Sequence, residues 1–246
     1  MPERAAKSYF DPKLDDIDLD FLLGGRPARP AEIAGRILST LSALEHLDAR
    51  PIEWVDVLYP GRSAATKEAI PRSVHEMELR VGDGARKDDA GNFYPSWGYY
   101  LSVLGFLAGS DRSLCPFSFS VSDGEDQPGS RNSFELELNE ALVSGREAIT
   151  ECVASLVDIW SPIRGGVFGY EVTKQSENHP LWYPPVGVLT YMANGSGYTL
   201  PPSPLVDLRP LQNGTLAVLK DWTLDAVLAY QREFRAVTAG ARKAPN

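Results

Sequence analysis

The sequence predicts an α+β fold, a single domain in which a mainly antiparallel sheet is packed by about three helices. Three observations predict it. Residues 99–140 read as three consecutive strands joined by short turns. The stretches 30–47 and 145–160 repeat apolar residues at helical spacing. No internal repeat or Pro/Ser-rich linker splits the chain. Runs of strands with separate helices place the sheet on one side and the helices on the other.

In chain order, residues 1–29 read as a weakly ordered acidic N-terminal segment, with five Asp between Asp11 and Asp20 and with Leu14, Ile17 and Phe21 as anchors to a surface. The domain proper spans 30–239. Pro30 opens a helix, where its missing N–H costs nothing, and Ile33, Ile37, Leu38, Leu41, Leu44 and Leu47 form its buried stripe. Pro51 closes that region. The piece 53–58 is apolar and of uncertain type, and 63–70 suits a helical turn or two. Residues 73–81 alternate roughly, with Val74, Met77 and Leu79 apolar, and predict a strand. Residues 82–92 read as a charged, Gly-rich loop.

The meander follows. Residues 99–108 are almost wholly apolar or aromatic. Phe117, Phe119 and Val121 alternate with Ser118, Ser120 and Ser122, and Phe134, Leu136 and Leu138 alternate with Glu135, Glu137 and Asn139. A period of two puts the Phe and Leu set on one buried face and the Ser and Glu set on the other. Turn residues at 109–111 and 122–129 make the connections short, hence antiparallel. The second long helix, 145–160, buries Ile149, Cys152, Val153, Leu156, Val157 and Trp160 and stops at Ser161-Pro162. Strands are expected at 167–173, 185–192 and 216–219, with a Gly/Pro loop at 194–204 and a tight turn at Asn213-Gly214. Asp221 or Thr223 caps a last helix reaching about residue 237, and 240–246 form a basic tail.

The charge balance narrows the functional classes. Thirty-three acidic and 24 basic residues give a net charge of −9 over 246 residues. A nucleic-acid binder normally carries a basic footprint, so nucleic acid is not an expected partner. A basic protein partner is compatible, and so is an acidic surface that only maintains solubility. The longest apolar run, 99–108, is too short to span a bilayer, and 1–10 has no apolar secretory core, so a cytoplasmic protein without membrane contact is expected. Two cysteines, Cys115 and Cys152, make no disulfide framework or metal spacing.

The search for chemistry finds no catalytic template: no nucleophile elbow, P-loop, zinc-protease helix or dinucleotide fingerprint. His46, His75 and His179 lie far apart. Asp16, Asp18 and Asp20 alternate like the start of a calcium loop, but Phe21 stands where that loop needs Gly. Glu171 and Lys174 lack the upstream Pro-Asp of a nuclease site. No catalytic residue, metal or cofactor is expected. Two features suit binding. Trp182 and Tyr183 stand beside Pro184 and Pro185, as stiff anchors or as the edge of a core. Glu135 and Glu137 on the polar strand face, with Asp123, Glu125 and Asp126 on the neighbouring turn, form either an acidic binding patch or a plain solvent face.

The run from Pro185 to Met192 (Pro-Val-Gly-Val-Leu-Thr-Tyr-Met), the Gly/Pro loop, Asn213-Gly-Thr-Leu-Ala-Val-Leu219 and the final helix resemble the end of immunity protein family fifty-two. The helix ending at Trp160-Ser161-Pro162 and the meander before it are also similar, so the resemblance covers roughly 95–240. It departs at Val188, where the family carries Trp. Such proteins are antidotes to polymorphic toxins, often with a restriction-endonuclease-like domain delivered by type VI secretion. The resemblance implies a cytoplasmic immunity protein that binds and blocks a cognate, adjacently encoded toxin and is not an enzyme. It brings no catalytic residues. The toxin-binding candidates are then Asp123, Glu125, Asp126, Glu135, Glu137, Trp182 and Tyr183, with the acidic segment 15–20 as the rival site. The oligomeric state is not legible. The competing readings are an enzyme whose site lacks a local motif and an adaptor of a secretion apparatus.

Overall fold

The computed structural model describes Asp11 and residues 17–47, 50–56, 69–94, 96–108, 117–126, 132–138, 145–169, Val172 and 186–243; of Ile17, Leu138 and 239–243 it describes the backbone. The described elements are β1 (Ile17–Leu22), α1 (Pro30–Glu45), β2 (Ile52–Asp56), α2 (Val74–Asp83), β3 (Trp97–Leu107), β4 (Phe117–Glu125), β5 (Ser133–Leu138), α3 (Arg146–Trp160), β6 (Arg164–Gly169), β7 (Leu189–Ala193), β8 (Val206–Leu211), β9 (Gly214–Leu219) and α4 (Leu224–Lys243). The strands form one nine-stranded sheet in the order β2-β3-β4-β5-β1-β6-β7-β9-β8. Every pair is antiparallel. The predicted α+β class and the meander are therefore present.

The middle strand of this sheet is β1, which falls in the segment expected to be weakly ordered. Leu19 and Phe21 are fully buried, whereas Asp18 and Asp20 are exposed. The alternation was in the sequence, but the density of Asp concealed it. Both neighbours of β1 run antiparallel to it, so β5 and β6 run parallel to each other, and α3 makes the long crossover that such a pair requires.

The Phe and Leu set predicted to be buried is buried where its side chains are described, that of Leu138 lying outside them. Phe117, Phe119 and Phe134 are fully buried, Leu136 is 1% exposed and Val121 is 2% exposed. Phe134 stacks on Trp160 at the end of α3, with ring centroids 5.2 Å apart. The same row continues through Leu19, Phe21, Val167, Leu189, Tyr191 and Leu216, all buried. At the other end Trp54 meets Phe119 edge-on at 6.0 Å. A Cβ at Gly105, cross-strand from Trp54, would come within 2.5 Å of its ring, so only glycine lets the indole lie flat there.

Residues 73–81 are not a strand. They belong to α2, capped by Ser73, whose side chain accepts the Glu76 N–H at 3.2 Å. Ser-x-x-Glu is the capping-box signature, and Met77 and Val81, one helical turn apart, are the buried pair. Of the short piece at 53–58, residues 53–56 belong to β2 and 57–58 lie outside the described residues, as do 63–68 of the turns suggested at 63–70, where Ala69 bridges to Val55 instead. Two edges of the C-terminal half also differ from the prediction. The strand expected at 167–173 starts earlier, at Arg164, through a Gly165-Gly166 pair that hid it. Strand β8 lies in a stretch to which the sequence assigns no element; it pairs with β9 across the turn at Gln212-Asn213. The last helix runs to Lys243 instead of ending near 237.

Helices do not all lie on one side. Thr190, Met192, Ala217, Leu219 and Val206 point away from α3, yet all are buried. On that second face Arg164 stacks over Tyr198, whose ring lies 6.2 Å from Phe234 of α4. Tyr230 of α4 donates its hydroxyl to Pro201 O at 3.1 Å. The C-terminal half is thus three layers thick, and the first half keeps a face that is buried at Val55, Phe106 and Ser122 and open around β5 and β1.

Truncation at the centre of the core gives the first prediction. Phe134→Ala removes a ring packed among Phe21, Phe119 and Trp160. It should lower the unfolding free energy by about 3–5 kcal/mol, read as a lower denaturant midpoint at unchanged slope.

Candidate functional site

The open face is carried by β3, β4, β5 and β1, and register fixes what it shows. One row across it reads Ser102, Ser120, Glu135, Asp20, and the next reads Leu104, Ser118, Glu137, Asp18. Glu135, Glu137, Asp18 and Asp20 are all exposed. Sequence reading identified Glu135 and Glu137 and their shared side. It set the Asp15–Asp20 segment apart as a rival site, whereas Asp18 and Asp20 share the face of Glu137 and Glu135; their alternation with Leu19 and Phe21 was the available signal. The result is a two-by-two block of carboxylates on a rigid sheet, with Asp20 directly opposite Glu135 and Asp18 directly opposite Glu137. Like charges facing each other across a ladder destabilise it. The effect registers at Asp20, whose carboxyl is pushed up to about 6, first by its loss of water among the neighbouring strands and then by Glu135, against the opposing pull of Arg164.

The turn residues separate from this block. Asp123 was expected beside Glu135 and Glu137, but it has the opposite parity. It continues the Phe117, Phe119, Val121 row and is 1% exposed. Its carboxylate accepts from Arg26 Nε at 3.2 Å and Nη2 at 3.1 Å, from Arg36 Nη1 at 2.6 Å and from the Gly124 N–H at 2.9 Å. A carboxylate so buried and so engaged has no surface to offer a partner. Glu125 is half-buried and pairs with Arg86 at 3.0 Å. Asp126 is exposed. Trp182 and Tyr183 lie outside the described residues.

Around Asp123 a polar junction closes this corner of the fold. Arg26 also donates to Trp160 O, the C-terminal carbonyl of α3, at 3.0 Å, and Trp160 Nε1 donates to Thr40 Oγ1 of α1 at 2.9 Å. The Asn132 side chain, fully buried, donates to Gly24 O and Glu125 O and accepts from the Glu125 N–H. One set of side chains therefore joins the exit from β1, helix α1, the end of β4 and the end of α3. This junction is structural in kind.

Elsewhere the titratable groups read as packing or surface groups. Cys152 sits on the buried stripe of α3, and burial pushes its thiol up to about 12, which keeps it protonated and unreactive. Cys115 lies outside the described residues. His46 is exposed and bonds to Ser42 O in its own helix at 2.6 Å. Among the described residues no three His, Cys, Asp or Glu side chains converge as a metal-binding group, and no helix is long and apolar enough to cross a membrane.

Two outcomes follow for stability. Asp123→Asn leaves two arginines facing a neutral group, and the cost should be about 3 kcal/mol, the lower end for a broken buried pair because both arginines retain water contact. Asp20→Asn should act in the other direction. The folded state holds the Asp20 proton more tightly than the unfolded chain, so ionising Asp20 costs stability as pH rises from about 4 through about 6. The variant should be more stable than the parent at pH 7.5, and the gain should vanish by pH 4 in denaturant titrations.

No protein-family model matches the chain, and no curated protein matches it. The resemblance to immunity family fifty-two thus rests on its short motifs. Among solved structures, the chain is similar to the Pseudomonas aeruginosa T6SS protein PA0821, with 11% identity, a TM-score of 0.53 and coverage of 90% of this chain and 72% of that one. At that identity the likeness is one of fold: the arrangement described above is shared with a T6SS protein.

Proposed function

We propose that this protein is a cytoplasmic immunity protein that binds a cognate bacterial toxin, a nuclease effector of type VI secretion, and neutralises it without turnover of its own. The observation that carries the reading is the open sheet face with its exposed carboxylate block. A nuclease must concentrate cations where phosphate binds. An inhibitor covering that place needs carboxylates on a rigid support, which Glu135, Glu137, Asp18 and Asp20 supply, with Asp126 at the rim. The like-charge contacts across β1 and β5 add a second contribution. Arginines or lysines arriving from a partner remove that repulsion, so binding recovers stability that the free protein forgoes. The fold shared with a T6SS protein and the motif resemblance support the same reading. In this proposal Trp182 and Tyr183 remain candidate anchors and nucleic acid is not a partner.

Co-expression with the adjacently encoded toxin should restore bacterial growth, and equal killing with and without the protein overturns the reading. Reversing Glu135→Lys and Glu137→Lys together should weaken toxin binding at low salt and flatten its salt dependence, mainly through a slower on-rate. Unchanged affinity and salt slope in the folded variant would remove this face as the interface.

A further inference from the structure

The geometry points to the hairpin formed by 84–94 with 96–97 as the aromatic anchor of the interface, seating arginine or lysine side chains of a basic protein partner. The inference rests on the immunity reading. Sequence reading makes 82–92 a charged loop; the structure makes it the base of a stiff knuckle. Ala85 bridges to Tyr99 and Lys87 to Phe93. Asp88 accepts the N–H groups of Ala90 at 3.0 Å and Asn92 at 2.8 Å, the Asn92 side-chain amide at 3.1 Å and the Tyr94 hydroxyl at 3.2 Å. Those bonds, Asn92's foremost, hold its carboxyl below the usual range. Gly91, at φ +86°, makes the turn.

On this frame the adjacent rings of Phe93 and Tyr94 are 39% and 42% exposed. Tyr94 packs on Trp97 at 4.9 Å and Phe93 on Tyr99 at 5.8 Å, so the free ring faces are fixed before any partner arrives. Pre-fixed aromatics add contact area with little entropy lost on binding. The knuckle is also continuous with the acidic face. Arg86 donates to Ser122 Oγ and to Glu125, and the Asp126 N–H donates to Ser96 O at 3.1 Å. Ser122 faces Ser133 in register, two residues before Glu135. An exposed ring suits a guanidinium, which stacks on its face, and the exposed Asp126, tied to the knuckle by its backbone bond to Ser96, adds a carboxylate at the rim. Within the hairpin Arg86 and Lys87 balance Asp88 and Asp89, so the charge that selects a cationic protein surface is that of the adjoining carboxylate block.

The test uses the full chain and the purified, catalytically inactivated product of the adjacent toxin gene, with affinity measured by titration calorimetry. Phe93→Ala with Tyr94→Ala changes exposed side chains, and an unchanged melting temperature verifies the fold. The expected result is a loss of about 10–100-fold in affinity. Tyr94→Phe, which keeps the ring and removes only the hydroxyl, should stay within about threefold of the parent. Wild-type binding with the double variant within twofold of it overturns the knuckle and leaves the immunity reading standing. No binding by the wild type overturns both.

Discussion

The carboxylate of Asp123 is the constraint on which the corner of the fold depends. Along β4 the inward row runs through two phenylalanines and a valine and then ends in an acid with no exposed side-chain surface. Burying it alone would cost several kcal/mol. Arg26 and Arg36 offset that cost from one side and the Gly124 N–H from the other, while Arg26 carries the link on to the last carbonyl of α3. Helix ends leave carbonyls without intrahelical partners, and here one such carbonyl becomes an anchor point. The apolar layer sets how closely α1 and α3 approach the sheet, and the ion cluster fixes where their ends stop.

Beyond that corner the sheet divides by what covers it. Its C-terminal half is packed on both sides, with Tyr191 buried toward α3 and Met192 toward α4. In its first half the α1 and α3 side is packed, while on the other side Val55, Phe106 and Ser122 are buried and the carboxylates of β1 and β5 stand exposed. Parity alone then decides that the carboxylates of β1 and β5 meet in the open. Nothing in the packing requires four acids in that place, and alternating signs would suit the ladder better. Local arrangements that lower stability without a packing reason concentrate where a protein does its work.

Much of this was legible in the sequence, for identifiable reasons. The meander and the long helices have strong periods, so Phe117 through Leu136 and Ile149 through Trp160 were assigned to the right faces from spacing alone. Failures arose where composition outweighed pattern. Five Asp concealed the two-residue period of Ile17, Leu19 and Phe21, and with it half of the acidic block. Rough alternation in Val74, Met77 and Leu79 outweighed the Ser73–Glu76 cap. The glycines that begin β6 read as loop because they lack the side chains that mark a strand; they are there because Phe21 passes within 2.5 Å of where a Gly165 Cβ would stand. Asp123 was misplaced because a turn was assumed to begin at Asp123, whereas the strand runs on to Glu125.

The central place of β1 has a consequence for how the chain is made. Strands β5 and β6 meet only through it, so the two halves of the sheet are separate until it is seated. It is synthesised before either neighbour, and at about 5–20 residues per second it waits on the order of ten seconds or more for its second partner. Throughout that interval Leu19 and Phe21 are an unclaimed sticky stripe, able to pair with the first extended segment they meet. Asp18 and Asp20, spaced between them, act against such premature pairing in the way charged gatekeepers flank aggregation-prone strands. The same two carboxylates that strain the finished ladder thus keep its keystone available during biosynthesis.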